Sequence, residues 1–164
     1  MPLDDEATRA LLRDLDDPEY LEHPRGYDHP AARARFDRLA AGLDERFRCS
    51  CAVDRNVQDA SHHGTIVVPA TATAGADHLT VTVSNFGDLA VVTLGNPGSH
   101  DEEEEQVLFH PDDRRQVEDE LRAHGYVALS EHLLWNRYDG VSALASRYSP
   151  RYPPTWWIRF FDYL

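Results

Sequence analysis

The stretch Leu79–Leu94, with the sequence LTVTVSNFGDLAVVTL, decides the fold class of this chain. Apolar and polar residues alternate strictly over Leu79–Ser84, which predicts a strand with one buried and one solvated face, as is typical of antiparallel sheets. Turn-forming residues follow at Asn85–Asp88, and Leu89–Leu94 returns as the partner strand of a hairpin. The sequence therefore predicts an antiparallel sheet in the middle of the chain.

Two amphipathic helices are predicted before this sheet, within residues 1–46. Asp28 can cap the second helix, and Pro30 lies in its first turn, where a missing N–H group costs nothing. The apolar residues that recur at helical spacing are Thr8, Leu11, Leu12 and Leu15 in the first helix, and Ala32, Phe36, Leu39, Ala40, Leu43 and Phe47 in the second.

The rest of the chain divides by composition into three regions. Residues 47–97 read as strands, which include Phe47–Val53 and Thr65–Val68. Residues 98–125 read as an acidic loop and a helix, and residues 126–164 as a strand over Tyr126–Leu129, a helix from Glu131 to Tyr138 and a final strand. Helices followed by a sheet and then by mixed elements predict a single α+β domain, in which N-terminal helices pack on a mainly antiparallel β-sheet.

The C-terminal segment Thr155–Leu164 is rich in aromatic residues, which favours an aromatic-rich β-strand with at least one buried face. If both faces are buried, Arg159 needs an acidic partner, such as Asp162 or a helix carboxylate. If the strand lies at an edge, Trp157 and Tyr163 are exposed and can anchor a binding partner.

The chain is strongly acidic, with 164 residues and a formal net charge of −13. This charge disfavours direct binding to nucleic acids and to anionic membranes, and it favours a basic protein partner. All 16 basic residues are arginine, which is typical of a GC-rich genome such as that of an actinobacterium. The N-terminus shows no secretion signal and no apolar stretch approaches about 20 residues, so we expect a cytoplasmic protein.

Residues 101–125 hold ten acidic residues against three arginines, a local balance of −7 out of −13. The run Asp101–Glu105 is expected to be a solvated loop, because five consecutive acids repel one another without an evident benefit to the fold. Further acids are expected on the outer face of the following helix, at Asp112, Asp113, Glu118, Asp119 and Glu120. The predicted partner-binding residues are Asp101, Glu102, Glu103, Glu104, Glu105, Asp112, Asp113 and Asp119.

The only set of side chains that resembles a metal site is Cys49, Cys51, His62 and His63. The cysteine spacing is not that of a common zinc site, and alternation along a strand would place both thiols on one core-facing side. Two adjacent histidines on a strand face opposite sides, so only one could join them. We therefore predict no enzyme, cofactor or metal; a small metal-binding module or enzyme that uses these four residues remains the alternative.

Several motifs of the second half resemble small actinobacterial immunity proteins that accompany secreted polymorphic toxins. The resemblance covers roughly residues 78–164 and is carried by His78–Thr93, Gly125–Val127, Tyr138–Gly140 and Thr155–Leu164. It implies a cytoplasmic α+β protein that binds and neutralises a cognate toxin, often a basic nuclease or deaminase. No functional residue is carried over, and a general interaction protein or chaperone is the other alternative.

Overall fold

The structure, a computed structural model, describes residues 2–164, in which six α-helices surround five β-strands. The helices are α1 (Asp5–Leu15), α2 (His29–Phe47), α3 (Glu102–Leu108), α4 (Pro111–Ala123), α5 (Glu131–Leu134) and α6 (Trp156–Phe161). The strands are β1 (Ala52–Asp54), β2 (His62–Val68), β3 (Leu79–Ser84), β4 (Leu89–Leu94) and β5 (Val127–Leu129).

The strands lie side by side in chain order, and β1 to β4 are antiparallel. The predicted hairpin is confirmed, and the chain reverses at Gly87 and Asp88, which both have positive φ angles, of 55° and 62°. The N–H of Leu89 closes this turn on the carbonyl oxygen of Phe86 at 3.1 Å. The last strand, β5, is parallel to β4, because α3 and α4 connect the two strands by a crossover.

Both faces of the central hairpin are buried, so the predicted solvated face is wrong. Leu79, Val81 and Val83 pack in a core with α2 and α4, while the opposite face packs with α1, α5 and α6. Two threonine hydroxyl groups on the second face have a local acceptor: Thr80 and Thr93 donate to the carbonyl oxygen of Gly95 at 2.9 and 3.3 Å. The hydroxyl of Thr82 on the same face is buried without a hydrogen bond to any residue of 2–164. A hydrogen-bonded hydroxyl group can be buried at little cost. The polar residues of an alternating strand can therefore face a second core instead of solvent.

The N-terminal helices form as the sequence predicts. Asp28 caps α2 by accepting from the N–H of Ala31 at 3.0 Å, and Pro30 lies in the first turn. The apolar stripe of α2 is buried from Phe36 onward. Phe47, however, ends α2 and does not begin a strand: the chain turns at Arg48, so β1 is shorter than predicted.

The C-terminal aromatic segment is the helix α6, so the predicted strand is wrong. Thr155 caps it by accepting from the N–H of Ile158 at 3.3 Å. The buried aromatic residues Trp156, Trp157, Phe160 and Phe161 are spaced i, i+1, i+4 and i+5, which is one stripe of a helix. Packing of this stripe on β3 and β4 outweighs the strand preference of the individual residues.

Taken together, the helices and the mainly antiparallel sheet form a single α+β domain, as predicted. The predicted strand Tyr126–Leu129 is present as β5, whereas the predicted helix Glu131–Tyr138 ends already at Leu134. Within residues 2–164, no helix has both the length and the apolar character needed to cross a membrane.

Candidate functional site

The acidic run Asp101–Glu105 begins the helix α3, so the predicted loop is wrong. Asp101 accepts from the N–H of Glu104 at 2.8 Å, and the Glu104 carboxylate accepts from the N–H of Asp101 at 3.2 Å. This reciprocal capping box satisfies two backbone donors, and the first-turn acids face the positive end of the helix dipole. Part of the acidic run is therefore explained by helix formation.

Glu105 points inward and anchors α3 to the domain. Its side chain is 4% exposed and pairs with Arg114 of α4, while its Oε2 lies 2.8 Å from Nε2 of His132. One turn later Phe109 is buried beneath the Arg114 guanidinium, whose central carbon lies 4.3 Å from the ring centre. Glu105 thus ties α3 to the rest of the domain, and burial leaves little of its carboxylate accessible to the predicted partner.

A second buried carboxylate, Glu131 of α5, lies beside this anchor. It accepts from the backbone N–H of Gly98 and from Nε1 of Trp135, both at 3.1 Å. Burial raises the pKa of Glu131 and the nearby Glu105 raises it further, against the effect of these two hydrogen bonds. Glu105, Glu131 and His132 each place a potential ligand atom within 4.8 Å of the others, but Arg114, Gly98 and Trp135 already engage the two carboxylates.

The outward side of α3 combines acidic and apolar side chains. Val107 and Leu108 are 83% and 51% exposed, and they lie one helical turn after Glu103 and Glu104. Asp101, Glu102, Glu103, Glu104, Val107 and Leu108 form what we call the acidic helix surface. A recess of about 340 Å³ adjoins it, lined in part by Glu102, Gln106, Phe109 and Ser130.

The acids of α4 divide between the surface and the interior. Asp112 and Asp119 are at least partly exposed, and they pair with Arg115 and Arg122 on the same helix. Asp113 is buried and accepts from the N–H groups of Ala74 and Gly75 at 2.8 and 2.9 Å, so its carboxylate holds the loop before β3, and its role in partner binding stays a prediction.

Two further acids of α4 were also predicted on its outer face. Glu118 is buried beside Arg114, and Glu120 pairs with Arg46 of α2 and with His124. Both side chains therefore belong to the packing of α4 against the domain. Of the five acidic residues of α4, only Asp112 and Asp119 extend the acidic helix surface.

The predicted set of two cysteines and two histidines does not form one site. His63 packs against Phe36 of α2 and His62 against Tyr163, so the adjacent histidines face opposite sides of the sheet, as expected. Two groups of three ligating residues occur within residues 2–164, and neither contains His62 or His63. One of them joins Cys49 and Cys51 to Asp44, a residue that was not predicted to belong to this set.

A cavity of about 420 Å³ between α2 and the β3–β4 turn was not anticipated from the sequence. Its lining includes Tyr27, Arg35, Arg38, His63, Asn85 and Tyr126. Arg35 lies over the ring of Tyr126 at 4.2 Å and pairs with Asp88 at 2.7 Å. The hydroxyl group of Tyr27 forms hydrogen bonds with His63 and with Asn85, which are 36 and 58 positions further along the chain. No pattern among near neighbours in the sequence links residues that are so far apart.

The hydrogen bonds of this cavity determine the tautomer of His63. Asn85 donates its amide N–H groups to the carbonyl oxygens of Glu22 and Ala60, so its Oδ1 accepts the hydroxyl proton of Tyr27 at 2.9 Å. Nδ1 of His63, 3.1 Å from the Tyr27 oxygen, must then be the donor. Its Nε2 is left buried and without a hydrogen bond to any residue of 2–164.

His63 is held in its neutral form. Burial lowers the pKa of His63 to about 4, and the nearby His29 and Arg33 act in the same direction. The cavity lining therefore combines a neutral imidazole, which has one nitrogen without a hydrogen bond to any described residue, with the charged side chains of Arg35 and Arg38.

No family model, curated protein or solved structure matches this chain.

Proposed function

We propose that this protein is an immunity-type binding protein, which neutralises a basic toxin domain by covering it with the acidic helix surface. The observation that carries the proposal is the exposure of Val107 and Leu108 on a helix whose neighbouring side chains are acidic. The resemblance of residues 78–164 to immunity proteins supports the same conclusion.

The two apolar residues have the properties of interface anchors. Single exposed apolar residues are common on protein surfaces, but Val107 and Leu108 are adjacent and flanked by charged groups. Burial of an exposed valine or leucine side chain in an interface is favourable by about 1.5–3 kcal/mol, while the surrounding charged groups select the partner. The adjoining recess of about 340 Å³ has room for a side chain of that partner.

The exposed acids of α3 favour a partner with a basic surface. Within residues 2–164, no basic side chain lies within ion-pair distance of Glu102 or Glu103. Their mutual repulsion is relieved by a basic surface, which also accelerates association. Two copies of this protein would instead place carboxylates against carboxylates, so the same charge disfavours self-association through α3.

The test begins with the gene beside that of this chain, which we expect to encode a secreted protein with a variable C-terminal domain. That domain is then measured for binding to this chain and for inhibition of its toxicity. We expect Val107→Ser to weaken binding by about tenfold or more, because it removes an apolar anchor. We expect Glu102→Gln/Glu103→Gln to weaken binding about tenfold at low salt, with a smaller effect at high salt because ions screen the lost attraction.

A matched control removes two charges elsewhere. Asp14 of α1 and Glu45 of α2 are exposed and outside the acidic helix surface, so Asp14→Asn/Glu45→Gln should leave affinity nearly unchanged. Equal losses in both double variants would show that only net charge matters. Undiminished binding in Val107→Ser and in Glu102→Gln/Glu103→Gln would place the interface on another face.

The charge of α3 also predicts the oligomeric state: light scattering should show the free chain to be a monomer.

A further inference from the structure

The turn that follows α2 brings together two thiols and a carboxylate. Asp44 lies in the last turn of the helix, and Cys49 and Cys51 lie between the helix and β1. One potential ligand atom of each residue lies within 4.8 Å of the other two. This group shares no residue with the acidic helix surface.

Backbone hydrogen bonds hold this turn in place. Arg48 ends α2 in the left-handed conformation, with a φ angle of 53°, which reverses the chain toward Asp44. The N–H of Cys49 donates to the carbonyl oxygen of Asp44 at 3.0 Å, and the N–H of Cys51 donates to Asp44 Oδ1 at 2.7 Å. The donor atoms are therefore arranged by the fold itself, before any ion binds.

The distance between the two sulfur atoms suits a tetrahedral cation. Sγ of Cys49 and Sγ of Cys51 are 3.8 Å apart, and both cysteines are free thiols. A disulfide requires a separation of about 2.0 Å. Two thiolates that bind one zinc ion at about 2.3 Å, with a tetrahedral angle between them, lie about 3.8 Å apart.

We propose that Cys49, Cys51 and Asp44 bind one divalent cation of the zinc class, with solvent or an external ligand in the fourth position. Asp44 and Cys49 are partly exposed, so the cation has access from solvent, whereas Cys51 is buried and forms the inner side of the site. A set of two thiolates and one carboxylate combines soft and hard ligands that zinc accepts.

Binding exchanges protons for the cation. Both thiols lose their protons to solvent as two metal–sulfur bonds form, and the Asp44 carboxylate supplies the third bond, so the bound site carries a net charge of −1. Burial raises the pKa of the Cys51 thiol, and the neighbouring Asp44 and Cys49 contribute to this rise. The thiol is thus neutral without a cation, and a bound cation supplies the positive charge that deprotonates it.

The test uses the reduced full chain without a histidine tag. Cd²⁺ is titrated while thiolate-to-metal absorption is recorded, and Zn²⁺ binding is measured by calorimetry. We expect one ion per chain, with the absorption lost in Cys49→Ser and in Cys51→Ser. Asp44→Asn keeps an oxygen that can accept from the N–H of Cys51 but loses the charge, and we expect it to bind Zn²⁺ at least about tenfold more weakly.

Ser50→Ala is the matched control, because Ser50 is exposed between the two cysteines, and it should bind as the unaltered chain does. The proposal is overturned if Zn²⁺ binds equally well to Cys49→Ser, if Asp44→Asn has unchanged affinity, or if the reduced chain takes up no Cd²⁺. If Cys51→Ser fails to fold, Cys49→Ser decides the outcome, since Cys49 is only partly buried.

Discussion

Arg159 of α6 is fully buried, and each of its three guanidinium nitrogens has a hydrogen-bond partner. Its Nε donates to Asp16 at 2.7 Å, and its other nitrogens donate to carbonyl oxygens of the α1–α2 connection at Asp17, Tyr20 and Leu21. The second oxygen of Asp16 accepts from the hydroxyl of Tyr138 at 2.6 Å. The predicted need for an acidic partner is confirmed, although the partner is Asp16 and not Asp162.

We expect Arg159→Met to lower the free energy of unfolding by about 3–5 kcal/mol, because it leaves the carboxylate of Asp16 buried without its cation. Urea unfolding at neutral pH measures this change. Arg13→Met, which breaks an exposed pair with Asp139, is the control and should cost about 1 kcal/mol or less. Similar losses in the two variants would contradict the role assigned to Arg159.

His63 makes the stability of the protein depend on pH. The pKa of His63 is about 4 in the folded state, below the usual value of 6.5. Between pH 4 and pH 6.5 the imidazole is therefore more protonated in the unfolded chain than in the folded one. We expect stability to fall as pH decreases from 6.5 to 4, by roughly 3 kcal/mol for this group. In His63→Gln the slope over that interval should be smaller, as measured by urea unfolding at several pH values; an unchanged slope would refute this assignment.

The α3 helix depends on its capping box and its inward-facing residues more than on a long apolar stripe. We expect Asp101→Ala to destabilise it by about 1 kcal/mol, because the N–H of Glu104 loses its acceptor. Hydrogen exchange should become faster in the amides of α3 and remain unchanged in those of β3. Glu103→Ala, which removes an exposed acid outside the box, should have a smaller effect on exchange; equal effects would argue against the cap.

The elements that the sequence predicted well have a regular pattern that involves only near neighbours. The stripe of α2 and the alternation of β3 are of this kind: each predicts the correct element, although the alternation of β3 also predicts a solvated face that the structure does not have. For α3, the sequence contained a usable signal in the spacing of Asp101 and Glu104, but the charge of the run suggested a loop. For α6, the aromatic composition favoured a strand, although the spacing of Trp156 and Phe160 was helical.

At the scale of the whole molecule, the class of fold was predictable and the three-layer arrangement was not. One face of the sheet is covered by α2 and α4, and the other is covered in part by α6, which is far from β3 in the chain. The candidate sites follow the same rule: the acidic character of residues 101–105 was evident, but only tertiary contacts separate the anchor Glu105 from the exposed Glu102 and Glu103. Asp44 joins the cysteines because a turn reverses the chain.

The contact between Asp16 and Arg159 also has a consequence for synthesis. The two residues are 143 positions apart, so Asp16 leaves the ribosome long before its partner is made. At typical rates of translation the interval is on the order of ten seconds. During that time the core that α1 forms with α5 and α6 is incomplete. The apolar face of α1 is therefore accessible to chaperones and proteases until the C-terminal residues have been synthesised.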